Sequence, residues 1–150
     1  KLRILDTPAE ERFDRITRIA RRALKTPVAL ISFLDAERHW IKSRQGQIPE
    51  TARDLSFCGH AILRAEPLIV RDALRDPRFS DNALVLSGPL LRFYAGIPVA
   101  APDGSLVGTL CVMDTRPHDL VEADLALLKD LAGIVEHELC RPSASAASAG

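Results

Sequence analysis

Cys58-Gly59-His60 sets a thiol and an imidazole two residues apart. A cysteine nucleophile needs its base within hydrogen-bond reach of the sulfur, about 3 Å away. The stretch from Ser56 to about Arg64 reads as a short helix capped by Asp54 or Ser56. On a helix, residues two apart point roughly 200° away from each other, so the pair makes neither a dyad nor a chelate. Either residue can still line a pocket alone. No second Cys/His cluster offers zinc its four ligands. The expectation is no catalytic residue and no metal.

Arg92 and Tyr94 share one face of a strand by the two-residue period. A guanidinium and a phenol side by side suit an anionic or aromatic ligand, and Asp72 joins them as a pocket candidate. The competing reading is an Arg–Asp pair, Arg92 or Arg71 with Asp72, that only fixes a loop. Cys111 lies among Leu110, Val112 and Met113 and reads as a small core residue. Cys140 ends a helix, and His39, His118 and His137 read as surface residues. Asp54 and Asp76 read as caps. The glycines are scattered and build no phosphate loop.

The elements that position these residues follow from local signals. Thr7-Pro8-Ala9-Glu10 is a capping box opening a helix to about Lys25, with Phe13, Ile16, Ala20, Ala23 and Leu24 on one face. Its opposite face carries Arg12, Arg15, Arg18 and Arg22. The i,i+4 pairs Glu11–Arg15 and Asp14–Arg18 predict a solvated, self-neutralised surface there. Val28–Leu34 and His39–Ser43 flank the polar turn 35–38 as a hairpin, and residues 46–54 read as loop. Leu68–Val70 is a short strand, followed by loop and a short helix through 72–88. Arg92–Ala101 and Leu106–Met113 form a second hairpin whose turn holds Asp103-Gly104. Pro98 marks an edge or bulge. Asp119-Leu120-Val121-Glu122 is a further capping box, opening a helix to about Cys140. Short turns between neighbouring strands imply a mostly antiparallel sheet, and the terminal helices must pack on it. The fold class is α+β.

That last helix is apolar on two adjoining stripes. Val121, Leu125, Leu128, Ala132, Val135 and Leu139 form one, and Leu127, Leu131 and Ile134 the other. A wide core-facing stripe is one reading; the other is a second helix, supplied by a dimer mate. Phe13, Ile16, Leu128, Val135 and Leu139 are the candidates for that contact.

Composition sets the outer limits. Nearly half the chain is apolar, 47%, and the formal net charge is zero. Nothing electrostatic favours nucleic acid or an anionic membrane as partner. No apolar run approaches the roughly 20 residues of a membrane span. Three widely spaced cysteines argue against a disulfide framework and for a reducing cytoplasm. The chain opens at Lys1 and is expected to be cut from something longer. Residues 142–150, rich in Ser and Ala, read as linker or tail after a domain spanning 1–141.

Several segments resemble bacterial GAF domains. They are 53–62 (Arg-Asp-Leu-Ser-Phe-Cys-Gly-His-Ala-Ile), 70–73, 76–79, 92–96, and the hairpin Pro102-Asp103-Gly104 running into 108–114. The resemblance covers roughly Leu2 to Cys140. It implies a six-stranded antiparallel sheet with terminal helices on one face forming a dimer contact, and a ligand pocket on the other. It also implies a non-catalytic sensory module with an effector domain in cis, such as a histidine kinase or diguanylate cyclase. Relatives of the wider family bind cyclic nucleotides, bilins, haem or small metabolites, and many have no known ligand, so the resemblance implies sensing or scaffolding with a small-molecule ligand as one option and the cofactor unknown. The chain departs from the bilin-attaching pattern, since Gly59 separates Cys58 from His60. It also lacks the cyclic-nucleotide signature and the cysteine pattern of the free-methionine-sulfoxide reductases. A ligand-free dimerisation scaffold and a Cys58-dependent reductase are the alternatives.

Overall fold

The computed structural model describes residues 10–34, 39–46, 66–77 and 92–140. The readings placed on Thr7-Pro8, the turn 35–38, the loop 47–54, the helix carrying Cys58 and His60, the run 78–91 and the tail 142–150 lie outside these residues. Helix α1 spans Glu11–Leu24 and α2 spans Glu122–Leu139; the strands are β1 Val28–Leu34, β2 His39–Gln45, β3 Leu68–Val70, β4 Phe93–Ala100 and β5 Leu106–Asp114. The five strands form one sheet in the order β2-β1-β5-β4-β3, antiparallel at every pairing. This is the α+β architecture expected, with five strands among the described residues where the resemblance implies six.

Alternation along each strand sorts the side chains between two faces. Ala29, Ile31 and Phe33 of β1, Phe93, Ala95, Ile97 and Val99 of β4, and Leu110 and Val112 of β5 join the helices in one core. The helices supply Phe13, Ile16, Ala20 and Leu24 from α1 and Leu128, Leu131, Ala132 and Val135 from α2. Both helices therefore cover the same face. Phe13 meets Phe33 edge to face at 6.4 Å, a geometry favoured by the ring quadrupoles. Burying each large apolar side chain contributes about 1.5–3 kcal/mol, and this side of the sheet holds most of them. The other face collects Val28, Leu30, Leu68, Val70, Ala73, Tyr94, Cys111 and Met113.

Both helices start later than their capping boxes predict, α1 by three residues and α2 by two. Glu10 is the N-cap of α1, in extended conformation and with no side-chain cap bond. Its carbonyl accepts from the amides of Phe13 and Asp14, while its carboxylate is drawn away to Lys42 and Arg12. Val121, rather than Asp119, is the N-cap of α2. Ala23 is exposed, and Thr17 is buried in the stripe instead. The second hairpin is as expected. Gly104, at φ 90°, completes a turn in which its amide donates to Ala101 and the amide of Ala101 donates to Ser105. Pro98 lies in an internal strand, yet β3 pairs only as far as Gly96 and a register shift follows at Val99/Ala100. A residue without an N–H is tolerated there.

Candidate functional site

The sheet face turned away from the helices carries Tyr94, one of the pocket candidates, within a buried apolar cluster. Tyr94 is completely buried on it, its ring folded along β4 over Gly96. A Cβ at residue 96 would stand 2.3 Å from the Tyr94 hydroxyl oxygen and 2.6 Å from Cε1. Only glycine leaves the phenol this seat. On the neighbouring strands, the hydroxyls of Ser32 and Thr109 meet at 3.1 Å, both fully buried. Cys111 is buried between Leu30 and Gly96 in the strand register, a core position as its neighbours suggested.

Arg92 immediately precedes β4 and is half-buried. Its amide donates to the Asp114 carbonyl at 3.0 Å, and its own carbonyl accepts from Ala73 at 2.6 Å. Asp72 turns to local work. Its Oδ1 accepts from the Leu74 amide at 3.2 Å, capping the 3₁₀ turn Ala73–Arg75, and its Oδ2 lies 3.7 Å from Arg75 Nε. The backbone thus brings Asp72, Arg92 and Tyr94 to one corner of the sheet. Cys58 and His60 lie outside the described residues.

His118, read as a surface residue, is half-buried beside this corner. Its Nε2 is 2.5 Å from Asp114 Oδ2, and its ring lies 4.8 Å from that of Phe93, tilted by 40°. Asp114 is almost fully buried and also accepts from the Arg116 amide. Only the tertiary fold brings Phe93 under this imidazole, so a solitary histidine gave no sign of it. Among the described residues no group of three metal-ligating side chains occurs.

A second polar centre lies where the two helices meet. Arg12 donates through Nε to Glu10 at 3.0 Å, and through Nη1 to the Glu138 carbonyl at 2.8 Å and carboxylate at 3.3 Å. It is therefore not part of a solvated face. Lys42 of β2, its side chain fully buried, reaches Glu10 at 2.8 Å and lies 5.6 Å from the Phe13 ring centroid. Burial pushes the Glu10 carboxyl up, but hydrogen bonds and charge from Lys42 and Arg12 outweigh it and hold its pKa below the ordinary value. The Glu138 carbonyl belongs to the last turn of α2, where backbone acceptors lack helical partners and a cation is favoured. Asp14 bonds Ser43 at 2.6 Å, and Arg18 pairs with Glu11 instead.

The faces offered for a partner helix are also reassigned. Phe13, Ile16, Leu128 and Val135 are buried in the chain's own core, and Leu139 is half-buried against it. From Leu128 onward the stripe packs on the chain's own sheet and α1, while Val121 at its head is exposed. Ile19 within α1 and Ile134 within α2 are the large apolar helix residues left exposed among the described residues, at 42% and 46%. No described helix is long and apolar enough to cross a membrane.

The chain is similar to several known proteins. It is 43% identical over 137 residues to a cyclic di-GMP phosphodiesterase of Pseudomonas aeruginosa, covering 90% of this chain but 23% of that protein. The chain thus spans less than a quarter of that relative's length. The GAF domain of an Acinetobacter phosphoenolpyruvate-protein phosphotransferase superposes with a TM-score of 0.71 at 21% identity, over 85% of this chain and 80% of that one. A free methionine-R-sulfoxide reductase from Neisseria meningitidis superposes at 0.68 and 20% identity, over 85% and 75%. Both likenesses are of fold. The GAF domain profile matches residues 8–139, nearly the whole chain, and the protein belongs to the GAF domain family.

Proposed function

We propose that this GAF domain is a non-catalytic regulatory module of a longer signalling protein, passing the state of the sheet face that carries Tyr94 to an effector through the joined ends of α1 and α2. The observation that carries this reading is the Arg12 contact. Arg12 near the start of α1 grips Glu138 near the end of α2, so the helices run antiparallel and their outer ends are fastened together. Any shift of the sheet beneath them reaches both ends at once. A ligand moves such an equilibrium only by binding one arrangement better, and about 1.4 kcal/mol of preference shifts it tenfold. Identity to part of a cyclic di-GMP phosphodiesterase supports an effector in cis that turns over that class of cyclic dinucleotide. The reading sets the module in the cytoplasm; a net charge of zero gives no overall electrostatic pull toward nucleic acid or an anionic membrane.

A second reading, a ligand-free dimerisation scaffold, draws on Ile19 and Ile134. A native mass spectrum of the freshly purified chain at low micromolar concentration separates the two. Mass in excess of the chain, lost on Tyr94→Ala, is the result the sensory reading expects. Bare dimers that Ile134→Glu splits into monomers would replace it with the scaffold.

A further inference from the structure

We propose that the C-terminal end of α1 carries a binding site for a diphosphate group, at the opposite end of the helix from the Arg12 contact. Arg18, Arg21, Arg22 and Lys25 follow one another at helical spacing along a single face. With Thr26 and Gln45 from the adjoining chain they line a cavity of about 200 Å³. Every charged group on that lining is a cation. Arg18 is held by Glu11, but among the described residues no acidic side chain pairs with Arg21, Arg22 or Lys25. The helix terminus itself supplies roughly half a unit of negative charge. Arg21, Arg22 and Lys25, without an acidic partner among the described residues, exceed what that can offset.

The backbone at Lys25 points the same way. Lys25 closes α1 at φ 56°, ψ 42°, and is the one non-glycine with positive φ among the described residues. Glycine is the residue ordinarily found at such a helix end, because a side chain there meets steric cost. A lysine in that position accepts the strain and keeps a fourth cation at the cavity.

The chemistry selects phosphate. Guanidinium forks bind phosphoryl oxygens two at a time, and the neighbouring ammonium adds a mobile point charge. At about 30 Å³ per water the cavity has room for roughly seven waters, which fits a compact, multiply charged anion rather than a length of peptide. The cavity opens to solvent, so the diphosphate can be free or the end of a larger molecule. The site lies on the helix side of the sheet and does not depend on whether the opposite face holds a ligand.

Isothermal titration of the whole chain with inorganic pyrophosphate at low ionic strength tests the site, with adenosine diphosphate as the second probe. The expected result is saturable one-to-one binding of pyrophosphate that weakens about tenfold in Arg21→Gln/Arg22→Gln, each lost charge-assisted bond counting toward that factor. Lys25→Gly should weaken it as well while melting at or above the parent temperature, which separates loss of the cation from loss of the fold. Equal affinity for both probes would assign the site to the diphosphate alone, and tighter adenosine diphosphate binding to an organic diphosphate. No saturable heat at millimolar pyrophosphate, undiminished binding in the double variant, or equal binding of a hexaglutamate peptide would each overturn the proposal.

Discussion

Replacing Glu10 by glutamine removes one charge from the joint between the helices while keeping its shape. Glu10 accepts from Arg12 at 3.0 Å, lies 2.8 Å from the buried Lys42 ammonium, and has a side chain only 13% exposed. A hydrogen bond to a charged group contributes about 1.5–3 kcal/mol. The amide oxygen of Gln can still accept one of these bonds, and Arg12 keeps Glu138, so the net loss is about 2 kcal/mol at pH 7. For a domain of this size that lowers the melting midpoint by roughly 4–8 °C. The pH dependence has a definite sign. Because the folded Glu10 pKa is depressed below 4.5, its stabilisation is complete above that value and is lost as pH falls through the lower folded value. Urea unfolding of parent and Glu10→Gln, followed by far-UV circular dichroism at pH 7 and pH 3, should show a gap at the first and a much smaller one at the second. Equal stability at pH 7, or a gap that persists at pH 3, would refute the charged role given to Glu10.

Substitutions at Gly96 and Ser32 probe the sheet face turned away from the helices. Gly96→Ala drives a methyl into the buried Tyr94 phenol and should cost about 1–3 kcal/mol; Tyr94→Ala in the same chain should recover part of that loss in a double-mutant cycle by urea unfolding. Ser32→Ala leaves the Thr109 hydroxyl buried without its partner, a cost of about 1–3 kcal/mol, whereas Ser32→Ala with Thr109→Val should be closer to neutral than the two single costs added.

Much of the fold could be read along the chain because it is written in local chemistry. The second hairpin follows from Asp103-Gly104, whose carboxylate takes the Ser105 amide and whose glycine takes the positive φ. The antiparallel sheet follows from short turns between alternating strands. What the chain does not display is which distant group claims a side chain. Glu10 has the spacing of a capping-box acid, but Lys42, 32 positions away, takes its carboxylate and the helix starts later. Arg12 has the spacing of a solvated cation, but its partner Glu138 is 126 residues on. On α2, apolar spacing is the same whether the covering surface is the chain's own sheet or a second helix. The sheet takes Leu128 and Val135 and leaves Ile134 outside. Tyr94 was identifiable as a candidate, whereas the Ser32–Thr109 pair gave only the weak signal of a hydroxyl inside an apolar strand.

Coupling between the helix ends can be measured by amide hydrogen exchange in the parent and in Arg12→Gln. The variant loses the Nε bond to Glu10 as well as the two bonds to Glu138; the Glu138 pair alone accounts for about 2 kcal/mol of local stability, which corresponds to roughly 30-fold more frequent opening. If the Arg12 contact joins the helices as a transmitting unit, exchange should quicken by similar factors in the first turn of α1 and the last turn of α2, with the sheet unchanged. Faster exchange confined to α1, or none at either end, would contradict it.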